Sequence, residues 1–216
     1  MKPGDTRPGR WYNTHMIITI DGPAGSGKST AARKLAEALG YAYLDTGATY
    51  RAVTLAALRA GTDLTAAAAL ADLARRLDLN LEADGDRLRV LLDGQDVTRD
   101  IRSAEVTDNA HYVARAGEVR SVLVDLQRRL GERLAGSAGG VVSEGRDQGT
   151  VVFPDANVKF YLDAEPEVRA RRRHEEMLAD GEDVAYEDVL DAIRTRDGRD
   201  RSRAVAPLTR PDDAVD

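Results

Sequence analysis

Residues 22–29 read Gly-Pro-Ala-Gly-Ser-Gly-Lys-Ser, and the segments on either side decide how this stretch folds. Residues 16–20 before it, Met-Ile-Ile-Thr-Ile, are apolar and largely β-branched, which is typical of a buried parallel strand. Residues 30–39 after it are strong helix formers, and Gly40 suits the position just past a helix end. A strand, a glycine-rich loop and a helix in this order predict a phosphate-binding loop.

This loop offers three kinds of contact to a phosphate chain. Its glycines let backbone N–H groups close around phosphate oxygens, and the helix N-terminus adds partial positive charge. We expect Lys28 to reach the outer phosphates and the Ser29 hydroxyl to coordinate Mg²⁺. The alternative is a flexible Gly/Ser turn. The sequence predicts that a nucleoside triphosphate binds to Gly22, Pro23, Ala24, Gly25, Ser26, Gly27, Lys28, Ser29 and Thr30.

Composition restricts the class of protein. A chain of 216 residues is expected to form one compact α/β domain with a small insertion. It has no cysteine, which excludes disulfides and thiolate zinc sites and fits a reducing cytoplasm. No apolar run approaches the ~18 residues of a membrane span, and the net charge of −6 argues against a general nucleic-acid surface. We therefore expect a cytoplasmic protein, by default a monomer, with no membrane or nucleic-acid partner.

The order of the remaining segments predicts the architecture. Further strands are expected at 41–44, 141–143 and 158–163. The loop at 45–51 is expected to turn into a helix that ends at about 59, and further helices are expected at about 64–77, 103–115, 118–135, 166–179 and 186–203. This alternation implies a parallel doubly wound sheet. Residues 79–98 instead alternate apolar and polar residues around Asp84-Gly85-Asp86 and Asp93-Gly94, which predicts an inserted antiparallel meander. The first fifteen residues are expected to be a disordered extension.

A second motif, Asp45-Thr46-Gly47 with Tyr50 and Arg51, follows the second predicted strand. In open α/β sheets ligands gather at the carboxyl ends of the strands. An arginine there can fork onto a second phosphate group, that of an acceptor. The alternative is a surface helix start that carries a charged residue on its first turn.

A third motif, Glu144-Gly145-Arg146-Asp147-Gln148-Gly149, ends another predicted core strand. Its position favours a function in which Arg146 contacts phosphate and Asp147 accepts a hydrogen bond from a base. A structural ion pair within a loop is the alternative.

Two arginine clusters lie on the last two predicted helices. Arg169, Arg172 and Arg173 share one helix face, where they would either pair with neighbouring glutamates or supply arginine fingers from a closing lid. Arg196, Asp200 and Arg203 share a face of the last helix, within a run charged enough to be a solvated surface.

No nucleophile–base pair is evident in the sequence. A phosphate monoester is already largely anionic at neutral pH, so phosphoryl transfer onto it needs positioning and charge neutralisation rather than a strong base.

The chain resembles the bacterial cytidylate kinases. The resemblance runs from residue 16 to about 210 and rests on residues 18–30, 44–51, 144–156 and 199–208, whose last two segments are the most specific. It implies a P-loop kinase core at 16–216, a CMP-binding insertion at about 79–115 and a short helical lid at about 164–185. It also implies that the chain phosphorylates CMP, and dCMP, with ATP and Mg²⁺.

The resemblance also implies roles for individual residues. The phosphate-binding loop, the third motif and the arginine face of the lid already predict that Lys28, Arg146, Arg172 and Arg173 are catalytic and that Arg169 contacts ATP. By the resemblance, further residues bind the acceptor. Thr46, Arg51, Arg146 and Arg203 would grip the CMP phosphate, with Tyr50 beside them. Arg120 and Asp147 would read cytosine, and Arg196 with Asp200 would hold the sugar.

Three features depart from the family pattern. His111 stands where a serine is usual near the base, and Glu144 stands where aspartate is common. The family continues through one more strand and helix, whereas this sequence stops at Asp216.

Two rival functions stay open: a kinase of the same fold for UMP or another small acceptor, and a nucleotide-switch protein. The pair Arg120 and Asp147 favours cytosine, and the phosphate-facing residues around Arg51 and Arg146 argue against a switch.

Overall fold

A computed structural model of the chain describes residues 15–84 and 87–215, without the side chains of residues 83, 84 and 87. The predicted disordered extension, apart from His15, and the Gly85-Asp86 part of the predicted turn lie outside the described residues. The strands are β1 Met16–Asp21, β2 Ala42–Asp45, β3 Leu79–Asp84, β4 Arg87–Leu92, β5 Gln95–Asp96, β6 Gly140–Gly145 and β7 Val158–Tyr161. The α-helices are α1 Lys28–Leu39, α2 Gly47–Arg59, α3 Ala67–Arg76, α4 Ala104–Arg115, α5 Gly117–Ala138, α6 Pro166–Ala179 and α7 Tyr186–Arg201.

Four strands form a parallel sheet in the order β2-β6-β1-β7. Alternate residues of β1 face opposite sides of the sheet. Ile17 packs in a cluster with residues of α2 and α5, whereas Ile18 and Ile20 pack against Ala32 and Ala36 of α1. Helices therefore cover both faces, and the prediction of a doubly wound α/β core is confirmed.

The predicted meander is a separate antiparallel sheet in the order β3-β4-β5. Leu81 and Val90 are buried in the same cluster as Leu44 of β2, so this small sheet packs onto the core. The β4–β5 turn holds Asp93 and Gly94 with φ of 50° and 77°, the left-handed backbone of a two-residue hairpin turn. The prediction of an antiparallel insertion is confirmed.

The structure adds a feature at the end of β6 for which the sequence predicted only a loop. Residues Gln148–Val152 form a π-helical turn, in which the Asp147 carbonyl accepts a hydrogen bond from the Val152 amide at 3.1 Å. Such turns are rare and are frequent at functional sites. This turn fixes the backbone directly after Asp147.

The last described residues run beside β7. Val215 exchanges backbone hydrogen bonds with Lys159 and Tyr161, both at 2.9 Å, in a parallel bridge. Among the described residues, no helix combines the length and the apolar character needed to span a bilayer.

Candidate active site

The loop between β1 and α1 holds its lysine in a buried position. Lys28 Nζ donates to the Pro23 carbonyl at 2.5 Å and lies 3.3 Å from Ser26 Oγ. Burial and the charge of Arg146 lower the pKa of Lys28 to about 7, against the opposing charges of Glu144 and Asp21. Gly22 has a φ of 148°, and a Cβ added there would lie 2.0 Å from the Leu162 carbonyl oxygen. The loop therefore depends on glycine at its first position.

Oxygen donors suited to Mg²⁺ lie next to this loop. The Glu144 carboxylate is buried, accepts a hydrogen bond from Tyr43 Oη at 2.5 Å and hydrogen-bonds with the Ser29 side chain. Burial and the nearby charge of Asp45 raise the pKa of Glu144. Hydroxyl and carboxylate oxygens match the preference of Mg²⁺, and crowded carboxylates favour a cation. The residues present therefore fit this ion.

Arginines converge at the ends of β2 and β6. Arg51 pairs with Asp45 at 2.7 Å, and Arg102, which the sequence analysis did not select, lies 3.5 Å from the same carboxylate. Arg146 pairs with Asp200 at 3.0 Å, and Arg203 pairs with Asp200 as well. We call Arg51, Arg146, Arg196 and Arg203 the acceptor cluster.

Electrostatics within the acceptor cluster reflect this crowding. Arg196 keeps an exposed surface, but protein atoms crowd around its side chain and partly desolvate it. This desolvation, together with the charge of Arg146, lowers the pKa of Arg196. Burial would raise the pKa of Asp200, but the charges of Arg146 and Arg203 outweigh it, and the net shift is downward. The neighbouring Thr46 hydroxyl donates to the Glu144 carbonyl at 2.7 Å. Guanidinium groups crowded in this way present the charge-assisted donors that an anion such as a phosphate monoester would accept.

A buried ion pair lies beside the acceptor cluster. Arg120 on α5 pairs with Asp147, and both residues are almost completely buried. The Arg120 guanidinium lies 5.4 Å from the centre of the Tyr50 ring, and its Nη1 donates to the Ala114 carbonyl at 3.2 Å. Burial raises the pKa of Tyr50 to about 12. Aromatic, cationic and carboxylate groups thus meet where a base could stack and be read.

Asp21, at the end of β1, is a site residue that sequence reasoning missed. Its two carboxylate oxygens accept hydrogen bonds from the Gln148 and Gly149 amides, at 2.8 and 2.7 Å. Burial raises the pKa of Asp21 to about 6, although the two amide donors oppose the shift. Its position directly before Gly22 was the available signal, because strand ends carry ligands in such sheets.

The arginines of α6 divide into two groups. Arg172 and Arg173 are exposed, and Arg173 lies 3.4 Å from Glu176. Arg169 is buried and forms a bidentate pair with Asp197 on α7, at 2.5 and 3.1 Å. Asp197 gave no signal in the sequence, since it lies within a uniformly charged run.

His111 lines a cleft of about 610 Å³ between the α4–α5 junction and the end of α7. Asp200 and Arg203 line the same cleft, which therefore opens onto the acceptor cluster. His111 Nδ1 lies 2.7 Å from the Asp108 carbonyl, and its ring packs on Tyr112. The departure at His111 thus lies in the same cleft as two residues of the last helix region, Asp200 and Arg203.

A phosphate-binding loop beside a separate anion-binding cluster on a doubly wound sheet defines a P-loop kinase with its own acceptor site. The profile of the family described as Cytidylate kinase matches residues 18–216. Cytidylate kinase of Desulforamulus reducens is 52% identical over 201 residues, 93% of this chain and 88% of that protein. Cytidylate kinase of Exiguobacterium sibiricum is 50% identical over 198 residues, 92% and 86% of the two chains. The chain belongs to the cytidylate kinase family and is a phosphotransferase.

A solved structure titled "Crystal structure of TT1252 from Thermus thermophilus" is also similar. The match is 24% identical, covers 89% of this chain and 85% of that chain, and has a TM-score of 0.41.

Proposed function

We propose that this chain performs the reaction of its family, the transfer of a phosphoryl group from ATP to CMP or dCMP, through two neighbouring sites. The loop from Gly22 to Thr30 binds ATP. The acceptor cluster, with Thr46, binds the CMP phosphate, and Asp200 together with Arg196 faces the sugar. In this proposal the chain acts as a monomer.

The observation that supports cytosine as the base is the buried pair of Arg120 and Asp147. Cytosine carries an amino donor at position 4, where uracil carries a carbonyl acceptor. The Asp147 carboxylate can accept from the amino group but repels the carbonyl. Arg120 donates to the ring nitrogen and carbonyl of cytosine. The pair therefore attracts CMP and rejects UMP.

In this proposal catalysis depends mainly on neutralising the negative charge of the phosphate groups. The acceptor phosphate is already anionic, so no residue has to act as a strong base. Lys28 contacts the transferring phosphate from the loop, and Arg146 lies between the two sites. Arg172 and Arg173, which are exposed on α6, would act as arginine fingers when the lid closes.

Mg²⁺ enters with ATP in this proposal. Ser29 would coordinate it, and Glu144 with Asp45 would hold the waters around it. When bound there, the ion would neutralise negative charge on the ATP phosphates. Within the described residues no three acidic or histidine side chains form a preformed metal cage. Mg²⁺ does not require such a cage, because it keeps several waters and binds through substrate phosphates.

The test is a coupled assay of ADP formation with CMP, dCMP, UMP and AMP. Wild type should prefer the cytosine nucleotides. Asp147→Ala should lower kcat/KM for CMP and narrow the preference for CMP over UMP by about 1–3 kcal/mol, the scale of one polar contact.

Asp72→Ala is a matched control, because Asp72 forms an exposed pair with Arg75 on α3. It should behave as wild type. An unchanged CMP-to-UMP ratio in a folded Asp147→Ala variant would remove the base-reading role from Asp147. A wild-type preference for another monophosphate would contradict the proposed substrate.

A further inference from the structure

Arg169 is the largest fully buried side chain among the described residues. Each of its three guanidinium nitrogens has a partner. Nε donates to the Ala164 carbonyl at 2.7 Å, Nη1 to the Ala24 carbonyl at 3.0 Å, and both terminal nitrogens to Asp197. Four of its five N–H donors are used in these bonds, and with 1% of its surface exposed the side chain is closed off from solvent in this arrangement.

Arg169, Ala24 and Asp197 lie in three different parts of the proposed active site. Ala24 is in the phosphate-binding loop, Arg169 is on the first turn of α6, and Asp197 is on α7. The stem of Arg169 also underlies the loop, since a Cβ added at Gly25 would lie 3.6 Å from Arg169 Cβ. One buried guanidinium thus joins the ATP loop, the lid helix and the helix that carries Arg196 and Asp200.

The contact with Ala24 has a directional consequence. In a trans peptide the carbonyl and the following N–H point in opposite directions. Because the Ala24 carbonyl points at Arg169, the Gly25 N–H points away from it, toward the side of the loop opposite Arg169. Loops of this kind bind phosphate through backbone N–H groups, so the direction of the Gly25 N–H matters for binding.

We propose that Arg169 and Asp197 form a positioning pair that sets the orientation of the phosphate-binding loop, in place of the direct ATP contact predicted for Arg169 from the sequence. This inference rests on the proposed function of the loop as the ATP site. Asp197 holds the planar fork of Arg169, and Arg169 in turn holds the Ala24–Gly25 peptide. Neither side chain touches a substrate. A merely structural ion pair would stabilise the fold without favouring either substrate.

The double variant Arg169→Met with Asp197→Leu tests this role. Replacing both members of a buried pair with apolar residues of similar size often preserves stability, whereas removing one leaves a buried charge. We expect the variant to fold, as judged by its melting curve. Its affinity for ADP, measured by calorimetry, should fall about tenfold or more, because loops misplaced by about 1 Å lose much of their function. Its affinity for CMP alone should fall much less than its affinity for ADP, because the pair holds the Ala24–Gly25 peptide of the phosphate-binding loop and makes no hydrogen bond to the arginines of the acceptor cluster.

Arg194→Gln is the matched control. Arg194 on α7 pairs with Glu167 on α6 at 2.7 Å, so it joins the same two helices through an exposed bond. This variant should bind ADP and CMP as wild type does. If the double variant fails to fold, Arg169→Lys replaces it. A lysine keeps the charge near Asp197 but cannot hold the Ala164 and Ala24 carbonyls at the same time. It should weaken ADP binding in the same selective way.

Two outcomes would overturn the proposal. One is a folded variant, either the double variant or Arg169→Lys, with wild-type ADP affinity. The other is an equal loss of ADP and CMP affinity, which indicates a structural role only. The ADP measurement needs no acceptor, so it tests the pair independently of the phosphorylation of CMP. Failure of the proposed function would be seen in the wild type itself, as an absence of CMP turnover.

Discussion

The arginines of the acceptor cluster outnumber the carboxylates that face them in the described structure. Asp45 pairs with Arg51, and Asp200 pairs with Arg146 and Arg203, while Arg196 contributes a further positive charge. A bound phosphate monoester would offset this excess charge through charge-assisted hydrogen bonds. Each arginine is therefore expected to act mainly on binding of the acceptor.

Arg51→Ala should raise KM for CMP much more than KM for ATP. Arg51 is paired at the carboxyl end of β2, on the acceptor side, and its loss removes one charge-assisted contact worth about 1.5–3 kcal/mol. Initial rates measured with each substrate varied in turn give the two KM values. Equal increases for both substrates would place Arg51 outside the acceptor site.

Asp21 connects the two halves of the site through a single carboxylate. It ends β1 directly before the phosphate-binding loop, and it fixes the amides that follow Asp147. Burial raises its pKa to about 6, whereas an ordinary aspartate in the unfolded chain titrates near 3.8. Between these two values the native protein binds a proton that the unfolded chain does not.

The sign of the pH effect follows from this difference. As pH falls from about 6 to about 4, proton uptake by Asp21 should increase its contribution to the free energy of unfolding. Asp21→Asn cannot titrate, so wild type should gain stability relative to this variant over that range. Urea unfolding of both proteins at the two ends of the range measures the change. A stability difference that stays constant with pH would exclude a raised pKa at Asp21.

At the scale of elements, sequence patterns predicted what depends on local periodicity. The apolar run of β1, the turn chemistry of residues 93–94 and the helix-forming segments identified the two sheets and the helices. The π-helical turn after Asp147 had no sequence signal, because its backbone is held by Asp21, more than a hundred residues earlier. Asp197 was missed for the same reason, since its partner Arg169 is specified only by tertiary packing.

Two helix-interior glycines should respond in opposite ways to alanine. A Cβ at Gly198 in α7 would meet no atom within 4 Å, so Gly198→Ala should stabilise the protein by about 0.5–1 kcal/mol. A Cβ at Gly131 in α5 would lie 2.6 Å from Phe153 Cζ, so Gly131→Ala should destabilise it by about 1–3 kcal/mol. Thermal unfolding of the two variants beside wild type measures both effects. A Gly131→Ala variant that is as stable as wild type would contradict the close packing of Phe153 on α5, and a destabilised Gly198→Ala variant would contradict the open space at Gly198.

At the scale of the whole molecule, global and local charge have opposite signs. The chain carries a net charge of −6, whereas the acceptor cluster is positive. The global charge repels an anionic nucleotide, and the local charge attracts it. Salt screens both effects, so its influence on binding shows which one dominates.

We expect the local field to dominate, because the arginines lie within direct reach of the phosphate. Raising NaCl from about 0.05 to about 0.5 M shortens the screening length from more than 10 Å to about 4 Å and should raise KM for CMP. Steady-state rates across this salt series, at saturating ATP, measure the effect. A KM that falls with salt would show that repulsion by the whole molecule prevails.

The strand order also has a consequence for folding of the chain during its synthesis on the ribosome. Both neighbours of β1 come from residues 140–145 and 158–161. At about 5–20 residues per second, β1 therefore waits on the order of ten seconds before its first partner is synthesised. During that interval the apolar side chains of Ile17, Ile18 and Ile20 have no sheet to join. The apolar side chains of β1 therefore stay without their sheet neighbours until residues 140–145 of β6 are synthesised.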